Sequence, residues 1–204
     1  LYRGELHYVD HHVGRLLDEL TDQDIRDETM VIFTADHGEA FGEHGRWGHH
    51  PYMYDELLRV PLIVDEPGRN TNTVDTQVSL IDLFPTICDA CGIECPPKLQ
   101  GENLFTKDGK VELATSRGGK YLAARTPEWK CLWYITDNEI ELYDLAADPG
   151  ETEDVSENNP DVVEWLKDEM EEYRDAARAT DAELPDVEES EEVKQRLRDL
   201  GYTE

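Results

Sequence analysis

The sequence predicts an α/β fold: part of a parallel β-sheet with flanking helices, then a small antiparallel sheet and a C-terminal helix. Two apolar runs, residues 30–34 and 60–64, have the length of buried strands, and a helical stretch precedes the first. After residue 118, short strand-like segments alternate with turn residues. At 204 residues the chain can bury one main core, so one domain with a small appendage is expected.

The first helix is predicted near the N-terminus, where apolar residues recur every three or four positions. A helix that leads into a short apolar run is typical of a buried parallel strand, and residues 30–34 form such a run. Residues 60–64 predict a second strand, with Pro61 near its start, where a missing N–H group is tolerated. The apolar face of the helix consists of Leu6, Val9, Val13, Leu16, Leu17 and Leu20.

A further helix is predicted to begin at Asp82 as its N-cap, with Pro85 in its first turn and Gly92 as its stop. Cys88 and Cys91 fall on the apolar side of this helix. Their spacing is also that of metal and redox motifs, but no second Cys-x-x-Cys accompanies it, so buried thiols are favoured over ligands. Free thiols indicate a reducing compartment.

The second half of the chain predicts strands over residues 119–125, 130–135 and 140–143, with a hairpin turn at 136–139. Antiparallel pairing of these strands gives the small second sheet. A helix introduced by Asn159-Pro160 follows them, and its apolar side carries Val162, Val163, Leu166, Met170 and Tyr173.

The chain is acidic throughout. Lys and Arg total 19 against 48 Asp and Glu, a formal net charge of −29, which argues against nucleic acid or an anionic membrane as a partner. Acid spread over the whole chain favours a high-salt cytoplasm, such as that of a halophilic archaeon, where screening relieves self-repulsion. The alternative is an ordinary acidic protein with a partly disordered tail. No apolar run approaches about 18 residues and no signal peptide is visible, so a cytoplasmic location is expected.

Asp36 and His37 directly follow the first predicted strand, and ligands of α/β sheets gather beyond the carboxyl ends of strands. A carboxylate and a neutral imidazole together suit a divalent cation. Gly38 is expected to let the backbone turn sharply and to keep the space beside the metal free. For an isolated Asp-His-Gly, the alternative of Asp36 as a helix N-cap beside an exposed His37 would be favoured.

Four of the seven histidines fall between His37 and His50, on a glycine-rich loop that builds little core. This clustering favours a functional site over the N-cap alternative. A protonated His49 can hold an anionic group or protonate a leaving oxygen. His44 either binds substrate or is structural, with its ring nitrogens bound to the backbone, and for His50 a structural or exposed position is favoured.

Short motifs follow one another in a defined order. They are Tyr8-Val-Asp10, Val13-Gly-Arg-Leu-Leu17, Thr34-Ala-Asp-His-Gly-Glu39, Gly42-Glu-His-Gly-Arg-Trp-Gly-His49, Leu58-Arg-Val-Pro-Leu-Ile63, Val78-Ser-Leu-Ile-Asp-Leu-Phe-Pro-Thr86, Gly92-Ile93, Leu99-Gln-Gly101, Glu141-Leu-Tyr-Asp-Leu145, Asp148-Pro-Gly-Glu-Thr152 and Arg196-Leu-Arg-Asp-Leu-Gly-Tyr202. Any one of them is weak, but their shared order resembles the C-terminal part of a sulfatase of the alkaline phosphatase superfamily. The resemblance covers nearly the whole chain.

The resemblance implies an alkaline-phosphatase-like sheet and a hydrolase that acts on small-molecule or glycan sulfate esters. Asp36 and His37 match the later pair of family metal ligands, usually for Ca²⁺, with Mn²⁺, Mg²⁺ or Zn²⁺ as alternatives. His49 stands where the family often has an oxyanion-binding lysine after Trp-Gly, which leaves sulfate specificity and pH optimum open. The family nucleophile motif, Cys/Ser-x-Pro-x-Arg, does not occur in these 204 residues.

In the complete enzyme that the resemblance implies, a hydrated formylglycine or a serine-type group attacks the ester while the cation and basic residues stabilise the developing charge. This chain would supply Asp36, His37 and His49, and would need the N-terminal part of the same domain as a partner. Three units are predicted: residues 1–115 as the C-terminal part of the catalytic domain, 116–180 as a small sheet and helix, and 181–204 as an acidic, partly mobile tail with a short helix.

Two alternatives stay open. Asp-His pairs also occur in phosphonate monoester and phosphodiester hydrolases of the same superfamily, and the chain could instead be an inactive remnant or an interaction module. By itself the chain would expose a sheet edge and helix faces, so marginal stability or self-association is expected.

Overall fold

The computed structural model describes residues 1–49, 52–97, 99–109, 111–115, 119–181 and Arg196. Within these ranges the helices are α1 (Tyr2–Asp22), α2 (Asp55–Leu58), α3 (Leu83–Ala90) and α4 (Pro160–Asp181). The strands are β1 (Val31–Thr34), β2 (Ala40–Phe41), β3 (Trp47–Gly48), β4 (Leu62–Asp65), β5 (Glu112–Thr115), β6 (Tyr121–Arg125), β7 (Trp129–Tyr134) and β8 (Glu139–Asp144). Short 3₁₀ helices cover Arg26–Glu28, Glu43–Gly45, Leu80–Asp82 and Ser156–Asn158.

The two strands predicted in the first half are present, but they pair with each other in antiparallel fashion. Val31 lies opposite Asp65, and Thr34 lies opposite Leu62. The prediction of a parallel sheet is therefore wrong for this pair. The connection explains the difference, because the described part of residues 35–61 (35–49 and 52–61) forms a short hairpin and a four-residue helix and contains no helical crossover of the kind that parallel neighbours require.

The apolar face of α1 is open. None of the helix's residues is buried. Leu6, Val9 and Leu16 are 52%, 48% and 68% exposed. On β1 and β4 the paired residues Phe33 and Ile63 are also exposed. The prediction that a helix face would be uncovered is confirmed, and exposed apolar side chains of this kind favour association.

The small antiparallel sheet and its helix are confirmed. β5, β6, β7 and β8 pair in that order, each antiparallel to the next. Leu166 and Met170 of α4 are fully buried against this sheet. The sheet contains one strand more than predicted, β5, which begins four residues before the predicted unit boundary at 116. The predicted tail over 181–204, with its short helix, lies outside the described residues except for Asp181 and Arg196.

α3, the helix at the cysteines, begins as predicted with Asp82 as its N-cap residue, although the Asp82 side chain makes no capping hydrogen bond to this helix. A capping box closes the preceding 3₁₀ helix instead: the Ser79 side chain bonds the backbone of Asp82, whose carboxylate accepts the Ser79 N–H at 2.8 Å. Gly92 ends the helix with φ +64°, as predicted. Cys88 is buried, but Cys91 is exposed, so the prediction of two buried thiols is wrong for Cys91, which follows the last helical turn. All four cysteines are free thiols.

The segment around α2 packs onto the four-stranded sheet and joins the two halves of the chain. Its apolar side chains share one core with residues of β6, β7 and β8, and three tyrosine hydroxyls converge on the carboxylate of Glu141. Tyr54, Tyr134 and Tyr143 each donate to Glu141 Oε2 at 2.9 Å. Burial raises the pKa of Tyr134 and of Tyr143. The shared core consists of Ala40, Tyr52, Met53, Tyr54, Leu57, Ala123, Leu132, Tyr143 and Leu145.

A buried ionic network lies at the same junction. Lys130 is fully buried on β7, with its ammonium 2.7 Å from Asp55 Oδ1 and 2.9 Å from Glu151 Oε1. Arg125 reaches Asp55 from β6 at 3.0 Å. Buried carboxylates require such partners, so the network fixes the start of α2 relative to the sheet.

Of the helices in the described part of the chain, none is long and apolar enough to cross a membrane.

Candidate functional site

Asp36 and His37 lie directly beyond the C-terminal end of β1, as predicted. The Asp36 carboxylate is held locally, because its Oδ1 accepts the His37 backbone N–H at 3.0 Å. The side chain of Asp36 is otherwise open to solvent, at 83% exposure, and its Oδ2 stands 3.9 Å from His37 Nε2. Asp36 does not cap a helix, since the next helical segment in the chain begins at Glu43. The N-cap alternative is therefore wrong.

The donor atoms of this pair suit a divalent cation. His37 Nδ1 lies 2.9 Å from the Gly38 carbonyl oxygen, which can only accept, so Nδ1 carries the proton of the neutral ring. That tautomer leaves the Nε2 lone pair facing Asp36 Oδ2. Two ligands bonded to one ion at about 2.1 Å lie at most about 4.2 Å apart, so 3.9 Å allows a shared ion. Among the described residues, no group of three or more histidine, cysteine or acidic side chains could hold a metal ion.

A two-stranded hairpin brings His49 to the same place. β2 and β3 pair with Ala40 opposite Gly48. The register continues to Glu39 and His49, where His49 Nδ1 lies 3.2 Å from Glu39 Oε2. The His49 ring is 4.7 Å from the His37 ring between centroids. The structure therefore brings three predicted site residues together: Asp36, His37 and His49.

Glu39 is a site residue that sequence reasoning missed. Its carboxylate accepts from Nδ1 of His49 and so leaves Nε2 of that ring free to face a ligand. The available signal was the glycine-rich turn between residues 42 and 45, which is typical of a hairpin and places residues 39 and 49 opposite each other. His50, the remaining histidine of the cluster, lies outside the described residues.

Gly38 is required by close packing and has no positive φ. A Cβ at this position would stand 2.0 Å from the Glu56 carbonyl oxygen. The Gly38 N–H also donates to the Leu57 carbonyl oxygen at 2.8 Å. The expectation of a sharp glycine-dependent turn is wrong, because this glycine allows α2 to approach the backbone beside Asp36 and His37.

His44 occupies a different position from the other two histidines. Its side chain is 15% exposed, with Nδ1 2.9 Å from Glu56 Oε1. Its Nε2 lies 2.9 Å from the backbone carbonyl oxygen of Glu151. Neither ring nitrogen is therefore free to contact a substrate, and the contacts favour the structural alternative. The structural alternative predicts backbone partners for both ring nitrogens. In the structure one partner is the Glu56 side chain and the other is the Glu151 backbone carbonyl group.

Asp36 and His37 also line a cleft of about 770 Å³, a volume typical of ligand sites. The opposite walls come from residues 74–80 and from β5 and β6. Arg59 and Arg125 are also among its lining residues. The cleft is therefore large enough for a small-molecule ligand next to the Asp36–His37 pair.

Comparison with known proteins supports the sulfatase family. Residues 1–93 match the family model described as Sulfatase. The uncharacterized sulfatase YidJ of Escherichia coli K12 is 32% identical over 84% of this chain and 37% of its own length. The chain thus spans about a third of the length of the curated relatives that it matches.

Solved structures support the fold. BT4656 in complex with its substrate D-glucosamine-2-N,6-O-disulfate aligns with a TM-score of 0.69 and 28% identity, over 86% of this chain and 40% of that one. The phosphonate monoester hydrolase of Agrobacterium radiobacter aligns with a TM-score of 0.70 and 25% identity, over 81% and 39%. The chain therefore has part of the alkaline-phosphatase-like α/β fold, followed by the small antiparallel sheet and helix.

Proposed function

We propose that this chain provides the C-terminal part of a metal-dependent sulfuric ester hydrolase. The observation that carries the proposal is the meeting of Asp36, His37 and His49 beyond the end of β1, with a free Nε2 on each ring. A carboxylate and an imidazole side by side suit a cation, and a second imidazole beside them suits the oxyanion that the cation would also attract.

Asp36 and His37 would hold the divalent cation, with Ca²⁺ as the proposed ion and Mn²⁺, Mg²⁺ or Zn²⁺ as alternatives. Such an ion, when bound, acts as a Lewis acid toward an ester oxygen and lowers the charge of the site. His37 keeps its Nε2 lone pair available because Nδ1–H is engaged by the Gly38 carbonyl oxygen at 2.9 Å. Asp36 has one oxygen, Oδ2, that no described backbone N–H group occupies.

His49 would bind the ester oxyanion and donate a proton toward the leaving oxygen. The Glu39 carboxylate lies 3.2 Å from Nδ1 and orients the ring so that Nε2 points away from it. The attacking group is proposed to come from the N-terminal part of the same domain. Support for this is the absence of a Cys/Ser-x-Pro-x-Arg motif from the 204 residues and the chain's 37% coverage of a sulfatase relative.

A sulfated sugar is the proposed substrate class. BT4656, which shares the fold at 28% identity, has a glucosamine disulfate as its substrate, and the cleft beside Asp36 is large enough for one sugar unit. The second candidate is a phosphonate monoester or phosphodiester hydrolase, favoured by the similarity to a phosphonate monoester hydrolase. An inactive remnant or interaction module is the third. For the setting we propose a high-salt cytoplasm, supported by the net charge of −29.

Mn²⁺ binding tests the proposed metal pair in the chain itself. Added Mn²⁺ should broaden the NMR signals of the His37 and His49 rings, and Ca²⁺ should compete. Asp36→Asn should abolish the broadening. Asp18→Asn, on the exposed surface of α1, is the matched control, because an acidic chain attracts cations everywhere. Equal broadening in both variants would contradict a site at Asp36.

Ester hydrolysis tests the reaction class. The chain and Asp36→Ala would be compared at high salt on 4-nitrophenyl sulfate, 4-nitrophenyl phosphate and a phenylphosphonate ester, with Ca²⁺, Mn²⁺ or Mg²⁺. We expect no turnover from the chain alone and sulfate hydrolysis once the N-terminal part is supplied. Preference for the phosphonate ester would replace the proposal by the second candidate. No turnover of any ester by the combined parts would support the third.

A further inference from the structure

The turn between β2 and β3 is held by contacts outside the hairpin. The hairpin has two residue pairs, Ala40 with Gly48 and Phe41 with Trp47. Two pairs are too few to make an isolated hairpin stable in water. His44 lies in the turn with φ +51°, a backbone conformation that is uncommon for residues other than glycine. The position of His49, at the end of this hairpin, therefore depends on what fixes the turn.

The His44 side chain is held by a stacked ring and by a partner at each ring nitrogen. Its ring lies parallel to the Tyr54 ring, with centroids 3.7 Å apart and an interplanar angle of 6°. Nδ1 faces Glu56 Oε1 and Nε2 faces the Glu151 carbonyl oxygen, each at 2.9 Å. Both partners can only accept hydrogen bonds when Glu56 is ionised. Both ring nitrogens must then carry a proton, so the geometry requires the imidazolium form.

Glu151 is itself rigidly placed, so the contact with its carbonyl oxygen ties the turn to the second sheet. It is 2% exposed and has φ +53° in the turn after β8. Glu151 Oε2 accepts the Asp55 N–H at 2.6 Å. Lys130 lies 2.9 Å from Glu151 Oε1, at ion-pair distance without hydrogen-bond geometry.

We propose that His44 is a positioning residue, which holds the β2–β3 turn against α2 and the turn after β8 and thereby fixes His49 beside His37. The consequence for catalysis rests on the proposed role of His49. The charged groups that face His44 are Glu43 on its own turn, Glu56 on α2 and Glu151. Burial lowers the pKa of His44, but the hydrogen bonds to Glu56 and to the Glu151 carbonyl outweigh it, so that the pKa lies above its ordinary value.

The test is an NMR measurement on the chain with labelled histidines, without metal or ester. The nuclear Overhauser contact between the His37 and His49 rings, whose centroids are 4.7 Å apart, is the readout. It should be present in the wild type and in His11→Ala, an exposed histidine of α1, and lost in His44→Ala. In the wild type it should disappear as the pH rises through the raised pKa of His44.

Glu56→Gln decides the matter if His44→Ala fails to fold. Glutamine still accepts from Nδ1, but the ionic part of the pair is lost, so the contact should disappear at a lower pH than in the wild type. A His37–His49 contact that persists in folded His44→Ala, or an unchanged midpoint in Glu56→Gln, would overturn the proposal. Because no metal is present, these results are separate from the Mn²⁺ test of Asp36, which can fail while this contact behaves as expected.

Discussion

Replacing Lys130 by Met should destabilise the chain strongly, because Lys130 is the cation shared by two buried carboxylates. Its side chain and that of Glu151 are 0% and 1% exposed, and that of Asp55 is 13% exposed. Methionine has a similar length and no charge, so the cavity term is small. What the variant loses is the neutralisation of Glu151, while Asp55 retains Arg125 at 3.0 Å.

The size of the expected loss of stability is estimated from the distances of Lys130 to Asp55 and to Glu151. At an effective dielectric constant of about 20, contacts of 2.7 and 2.9 Å are each worth roughly 6 kcal/mol of gross attraction. Most of this lost attraction is offset, because the variant no longer has to remove the charged Lys130 side chain from water. Removing one partner of a buried pair leaves an uncompensated charge and costs about 3–5 kcal/mol net. That is a large part of the roughly 5–15 kcal/mol that stabilises a typical domain.

The assay is urea unfolding followed by circular dichroism at high salt, at about pH 8 and about pH 5. Burial raises the pKa of Glu151 against the opposing effect of Lys130, so without Lys130 the pKa rises further. A carboxyl with a raised folded pKa favours the folded state at low pH and loses that contribution as the pH rises through it. The decrease in unfolding free energy caused by Lys130→Met should therefore be smaller at about pH 5 than at about pH 8.

Two further variants make the experiment decisive. Lys120→Met, at an exposed lysine directly before β6, should cost less than about 0.5 kcal/mol. Adding Glu151→Gln to Lys130→Met should recover about half of the loss, since the amide oxygen still accepts the Asp55 N–H without carrying charge. If Lys130→Met costs no more than Lys120→Met, the argument that this network holds α2 on the sheet is refuted.

The remaining predictions concern packing, thiols, association and salt. Gly38→Ala should cost about 1–3 kcal/mol in urea unfolding, because its Cβ would stand 2.0 Å from the Glu56 carbonyl oxygen, whereas Gly14→Ala, with nothing within 4 Å, should gain about 0.5–1 kcal/mol. Equal effects would contradict the contact. Burial raises the pKa of Cys131 to about 12, so iodoacetamide should label Cys91 in the native chain and spare Cys131; mass spectrometry reports both. Sedimentation should show concentration-dependent association, reduced by Leu16→Lys on the open face of α1, and a wholly monomeric wild type would count against an open apolar face. The melting temperature should rise with KCl because the net charge is −29; a flat salt response would argue for the ordinary acidic protein.

Much of the local structure could be predicted because short-range patterns determine it. The helical spacing of the apolar residues around Leu166 and Met170 predicts a helix with one buried side, and both residues are 0% exposed in the structure. The turn residues at 136–139 predict the β7–β8 hairpin, in which Asn138 adopts φ +54°. Asp36 and His37 could be placed because a polar pair follows directly on an apolar strand.

Errors arose where neighbours decide the outcome. Helical spacing put Cys91 on the apolar side of α3, but the helix ends at Ala90 and the thiol turns outward. The sequence suggests that Gly38 serves backbone freedom, whereas the close approach of the Glu56 carbonyl group requires it. The sequence predicts a loop where the structure has the β2–β3 hairpin, because each strand has two residues, too few to show alternation.

The sequence by itself determined the elements, the acidic surface, the family resemblance and the Asp36–His37 pair, since each depends on composition or on residues within a few positions of one another. Only the tertiary structure decided that β1 and β4 run antiparallel, that Glu39 orients His49, and that His44 belongs to a contact with Glu151, 107 residues away. The physical reason is that a hydrogen bond between distant residues depends on the path of the whole chain between them. No local periodicity records that path.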